Sequence, residues 1–171
     1  MKKQILFIIV LFSVISCTED VSFNNPSFQG VKDNVFWRAI ESKASIGPGG
    51  SLVIEAYSGN EVVTLKMPVP ATVVNQNDKK SYITYFLGTS TSKMATYVRT
   101  DSDGTITFTT GIDIGDGQIV IKEYDEVNAT VSGTFKFNAE NVYNNPFAGS
   151  VLNFQQGVFY KVPVRQQVLT N

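Results

Sequence analysis

Gln118–Asn138, QIVIKEYDEVNATVSGTFKFN, decides the fold class. From Val127 onward, apolar or small residues take every second position: Val127, Ala129, Val131, Gly133, Phe135 and Phe137. Asn128, Thr130, Ser132, Thr134, Lys136 and Asn138 fill the positions between. Successive side chains on a strand point to opposite sides, so a period of two describes a half-buried antiparallel strand with one wet face. Ile119 and Ile121 mark a strand before it, and the polar Lys122–Glu126 segment is the expected connection.

The same grammar runs outward on both sides. Upstream, Leu52, Ile54 and Ala56 share a face, Ser58-Gly59-Asn60 supplies a turn, and Val63, Leu65 and Met67 share the next face. That is a hairpin, stopped by Pro68 and Pro70. Ser81 to Leu87 reads as a strand rich in tyrosine and β-branched residues, with Lys93 to Arg99 as its expected partner across Gly88–Ser92. Asp101-Ser102-Asp103-Gly104 turns the chain into a strand holding Ile106 and Phe108. Downstream, Leu152, Phe154, Val158, Tyr160, Val162 and Val164 share one parity in a long last strand, with a bulge expected at Gln156-Gly157. Helical periodicity is absent; Ala39–Lys43 and Val73–Lys80 are the two places a short helix would fit. About nine or ten short strands with turns between them specify an all-β single domain, an antiparallel sandwich or barrel.

The amino terminus belongs to another logic. Lys2 and Lys3 precede an apolar run, Ile5 to Ile15, of about 11 residues. That suits a signal-peptide core and falls short of the roughly 20 residues of a spanning helix. The run ends in Val14-Ile15-Ser16-Cys17, which resembles a bacterial lipobox. The resemblance implies cleavage before Cys17, lipidation of Cys17, and a signal peptide over residues 1–16. The cysteine count agrees, because the chain has one cysteine and no internal disulfide can form. Residues 17–29 read as a lipid-anchored tether and residues 30–171 as the all-β domain. Glu19-Asp20 resembles the export signal of some surface lipoproteins. The expected location is therefore the outer membrane, on its periplasmic or cell-surface face.

The Cys17 lipobox, Val35-Phe36-Trp37-Arg38-Ala39, Thr130-Val131-Ser132-Gly133-Thr134-Phe135-Lys136-Phe137 and Asn153-Phe154-Gln155-Gln156-Gly157-Val158-Phe159 together resemble a family of small Bacteroidota lipoproteins of unknown function. The resemblance implies an all-β domain and brings no catalytic residue.

Composition excludes much. Lys and Arg number 14 against 15 Asp and Glu, and no basic run exists, so nucleic acid is not an expected partner. There is no histidine, the commonest catalytic base and transition-metal ligand. With it go the usual nucleophile triads and almost all zinc sites. Glu123, Asp125 and Glu126 are the candidates for a carboxylate pair of the kind that hydrolyses glycosides, set against a plain solvated turn. Asp101, Asp103 and Gly104 resemble the start of a calcium loop but lack its later ligands. Asp113 and Asp116, beside Gly115 and Gly117, carry the same two alternatives. Gly47-Pro48-Gly49-Gly50 lacks the lysine and helix of a phosphate loop. Asn128-Ala129-Thr130 matches a glycosylation sequon that a bacterial lipoprotein signal makes irrelevant. Among the 20 aromatics, Trp37, Tyr57, Tyr82, Tyr85, Tyr97, Tyr143 and Tyr160 could stack on a ligand or fill a core. Tyr82 and Tyr85 have opposite parity, which puts one of them toward solvent or a cavity.

The expectation is a non-enzymatic protein joined to the membrane through Cys17, needing neither cofactor nor metal. Its domain would bind a glycan, an apolar small molecule or an envelope protein. The alternatives are an accessory subunit of an envelope assembly and a carboxylate-dependent hydrolase.

Overall fold

The computed structural model describes residues 27–47, 49–71, 74–75 and 77–166; residues 1–16, read as a signal peptide, Cys17 and most of the segment read as a tether lie outside them. Eleven strands form among the described residues: β1 (Ser27–Lys32), β2 (Val35–Arg38), β3 (Glu41–Gly47), β4 (Ser51–Ser58), β5 (Glu61–Pro68), β6 (Ile83–Leu87), β7 (Met94–Asp101), β8 (Gly104–Thr109), β9 (Asp116–Asp125), β10 (Thr130–Asn141) and β11 (Val151–Gln166). The one helical element among the described residues is a 3₁₀ turn, Lys79–Ser81.

β10 and β11 are the long strands, and each changes neighbour along its length. β11 pairs with β1 over its middle and then, in parallel, with β3 over Val164–Gln166. β10 pairs with β9 along most of its length and with β8 at Glu140 and Asn141. Because β10 and β11 also pair with each other, the sheet closes on itself through β11-β3-β4-β5-β7-β8-β10. The result is a flattened barrel. One layer is β2-β1-β11-β10-β9-β6 and the other is β3-β4-β5-β7-β8, with strands passing from layer to layer at two corners.

The core between the layers is aromatic on one side and aliphatic on the other. β4 and β5 supply Leu52, Ile54, Ala56, Val63, Leu65 and Met67, all fully buried. Facing them, Phe28, Phe135, Phe137, Phe154 and Phe159 make one cluster. Ring centres of Phe28 and Phe135 lie 4.7 Å apart, and those of Phe135 and Phe154 5.2 Å. Glycines make this packing possible. Gly133 pairs across from Phe159, and Phe135 pairs across from Gly157. A Cβ on Gly157 would sit 2.6 Å from the Phe135 ring, and one on Gly133 would enter the Phe159 ring edge. The Ser-Gly-Thr-Phe and Gly-Val-Phe segments are thus one reciprocal device, each glycine ceding its face to the other strand's ring.

Several expectations are corrected. The strand of the opening stretch begins at Thr130; Val127 is 94% exposed, and Ala129 has φ 49° in the turn. The hairpin connection is residues 126–129, because β9 continues to Asp125. β1 starts at Ser27, so residues 27–29, assigned to the tether, belong to the sheet, and Phe28 is in the core. Residues Ala39–Lys43, a possible helix, instead lead into β3. β6 pairs with β9, while β7 pairs with β5 and β8. A strand's alternation fixes its faces and leaves its partner open. The single parity of β11 also fails. Gln156 (φ 53°) and Lys161 (φ 48°) are both inserted residues, and each flips the alternation. Phe159 is therefore buried, while Val158 faces out.

Candidate functional site

At one end of the barrel the two layers are joined by polar side chains. Lys32 ends β1, Trp37 lies on β2, Glu61 begins β5 and Tyr97 lies on β7. Lys32 Nζ donates to Glu61 Oε1 at 2.5 Å and to Tyr97 Oη at 2.9 Å. Trp37 Nε1 donates to the other carboxylate oxygen, Oε2. Alternation brings them together. Phe28 and Gly30 face inward on β1, so Lys32 does too, and an ammonium facing inward needs a carboxylate opposite it. Burial pushes the Glu61 carboxyl up, but hydrogen bonds from Lys32, Tyr97 and Trp37 outweigh it and hold the group below its ordinary range. The Tyr97 hydroxyl is pushed strongly up, first by burial and then by Glu61. Glu61 is a fixed anion at neutral pH, and the cluster's donors and acceptors are largely spoken for.

Beside this clamp lies a cleft of about 310 Å³, lined by Lys32, Asp33, Tyr97, Arg99, Phe147 and Val151 among others. A smaller hollow of about 70 Å³ shares Arg99, Ile106 and Phe147 with it and adds Asp101, Asp103 and Asn145. The walls are preformed. Asp33 and Asn34 both have positive φ in the two-residue turn between β1 and β2, as a primed hairpin turn requires. Asp33 N donates to Asn153 O at 2.9 Å, and Asn153 N donates to Asp33 Oδ1 at 2.9 Å. The opposite wall, residues 142–150, is fastened by Asn141. Asn141 Nδ2 donates to Asn145 O and Gly149 O, and Asn145 N donates to Asn141 Oδ1. Asn145 Oδ1 then accepts from Phe147 N at 2.9 Å. Arg99 Nε lies 2.7 Å from Asp101 Oδ2, an ion contact without hydrogen-bond geometry. Its outer amino groups have no protein partner among the described residues.

The residues singled out from sequence are dispersed. Glu123 accepts from Ser132 Oγ at 3.1 Å on the sheet. Asp125 caps its own turn, accepting from Asn128 N at 2.9 Å and Val127 N at 3.0 Å; the Asn128 backbone bond leads in holding its carboxyl down. The neighbouring Glu126 belongs to that exposed turn. Asp101 accepts from Asn60 as well as meeting Arg99, and Gly104 takes φ 125° in the β7–β8 turn. Asp116 accepts from Asn138 Nδ2 at 2.9 Å, and Asp113 sits in a tight turn at φ 56°. Among the described residues no three metal-ligating side chains come together. Trp37 is 5% exposed and joins the core through Phe28 and Phe154 while its indole N–H serves the clamp. Tyr82 and Tyr85 are both half-buried against the core; the outward aromatic of β6 is Phe86. Cys17 lies outside the described residues.

The fold and the end-on cleft define a small all-β domain with a hydrogen-bonded hollow at one end of a closed sheet. A family model described as a domain of unknown function (DUF6252) matches residues 24–163, and the chain belongs to that family. No curated protein and no solved structure matches the chain.

Proposed function

We propose that this chain is a lipid-anchored cell-envelope protein whose all-β domain is a non-enzymatic binding module, and that the ligand sits in the cleft at the Lys32–Glu61 end. The anchoring part rests on the residues before and at Cys17. The binding part rests on one observation above the others: the barrel interior is filled by side chains, while the cleft is open, and both of its walls are locked by hydrogen bonds before any ligand arrives. A preformed hollow loses little ordering entropy on binding. Hydrolysis finds less support. A general acid needs a carboxyl raised toward neutrality, and Glu61 is held the other way.

An accessory role in an envelope assembly is the second possibility, favoured by the edge strand β2 and its turn, where Val35 and Phe36 are each 65% exposed and Ile40 85%. Two experiments test the proposal. Cys17→Ser followed by fractionation should release the protein from the outer membrane; unchanged partitioning contradicts the anchor. Native mass spectrometry of protein purified gently from its host should show a reproducible added mass. A bare mass, with crosslinks to a partner through Val35, Phe36 or Ile40, would favour the accessory role.

A further inference from the structure

We propose that the cleft takes a neutral saccharide unit, with one sugar face against the Phe147 ring and its hydroxyls against Arg99 and Asp33. This rests on the cleft being the binding site. Phe147 is 75% exposed, yet it is not a side chain loosely left in water. Its own N–H is held by Asn145, Asn145 is held by Asn141, and Asn145 Nδ2 reaches back to Thr105 O at 3.4 Å on β8. The loop therefore presents the ring at the rim shared by both hollows. An aromatic ring fixed at a rim, next to planar polar groups, suits a ligand with an apolar face and a polar edge.

Charge selects among such ligands. Lys32 is neutralised by Glu61 at 2.5 Å, and Arg99 by Asp101 at 2.7 Å. Asp33 adds a carboxylate that makes no ion pair among the described residues, so the cleft offers an anion no net attraction. A fully apolar ligand would leave the outer amino groups of Arg99 and the second carboxylate oxygen of Asp33 desolvated and unpaired. A metal ion would find no cluster of three ligating side chains among the described residues. Vicinal hydroxyls both donate and accept, and they fit a guanidinium fork beside a carboxylate.

The test uses the lipidated protein in a detergent without a sugar headgroup. Maltohexaose, cellohexaose, laminarihexaose, xylohexaose, mannohexaose and chitohexaose are titrated in turn by calorimetry, with polygalacturonate as the anionic comparator. At least one neutral oligosaccharide is expected to bind. Phe147→Ala should weaken it about tenfold or more, and Phe147→Trp should restore it. Phe147 is exposed, so the fold should survive both changes, which circular dichroism checks. Absence of binding by all six, tighter binding of polygalacturonate, or indifference to Phe147→Ala would overturn the saccharide assignment. If the panel is silent and host-purified protein still carries an added mass that Phe147→Ala loses, the saccharide assignment falls and the cleft stands as the site. A bare mass together with a silent panel removes both.

Discussion

The two ends of the Lys32 strand contrast. At one end, Phe28 enters a cluster in which rings and glycines alternate across strands and pack directly on one another. At the other, Lys32 turns inward, meets Glu61 and Tyr97, and the layers part into a cleft. Apolar side chains gain from close contact in every direction, so the ring cluster packs closed. A buried ion pair must keep its geometry and its residual hydration, so the charged end stays open. One strand thus serves both the stability of the molecule and its candidate site.

The largest expected effect lies in the closed end. Phe135→Ala should cost about 3–5 kcal/mol in urea unfolding, because Phe135 touches Phe28, Phe137, Phe154 and Phe159. A loss under about 1 kcal/mol would mean that the cluster does not hold the layers together. Gly157→Ala should cost about 1–3 kcal/mol, since its Cβ would meet the Phe135 ring. Combining it with Phe135→Leu, which shortens that ring, should cost less than the sum of the two single changes. Strict additivity would break the idea of a reciprocal glycine–ring device.

The open end should respond more mildly and with a pH signature. Glu61→Gln removes the charge facing Lys32 and should cost about 1–2 kcal/mol at neutral pH, discounted because both groups retain some water. Glu61 has its folded pKa below the ordinary 4.5, so its contribution is present above that value and is lost as pH falls through the folded pKa. Trp37 is the single tryptophan and bonds Glu61, so its fluorescence should report the acid transition in wild type. The Glu61→Gln variant should lose that part of the transition. An identical acid profile in both would show that the clamp does not titrate. The smallest effect belongs to Val127→Ser, under about 0.5 kcal/mol, because Val127 is 94% exposed in the β9–β10 turn.

Much of the fold was legible because a strand writes its faces into a period of two. Val131, Phe135 and Phe137 were placed inward from sequence, and so they are. What failed were features that break the period. The glycine after Gln156 marks a bulge there, but Lys161, the second insertion, has no glycine beside it and leaves no mark. Partner choice was also hidden, as with β6, because any strand edge offers the same backbone groups. The candidate site was less legible for a related reason. Glu123, Asp125 and Glu126 drew attention by lying close in sequence. The carboxylate of the clamp, Glu61, meets Lys32 29 residues away and Trp37 24 residues away. The one readable sign was an inward-facing parity for Lys32 after Phe28 and Gly30. Trp37, read as core or ligand platform, is core with its polar edge in the clamp.

Mapping amide chemical shifts of ¹⁵N-labelled protein during titration with the oligosaccharide panel tests the account most directly. The expected result is a set of shifts confined to the cleft, at Lys32, Asp33, Arg99, Phe147 and Val151, with Gly133 and Phe159 in the closed core unmoved. Shifts centred instead on the exposed sheet face at Phe36, Val158 and Phe86 would contradict the assignment of the cleft as the binding site, and none at all would contradict the saccharide assignment.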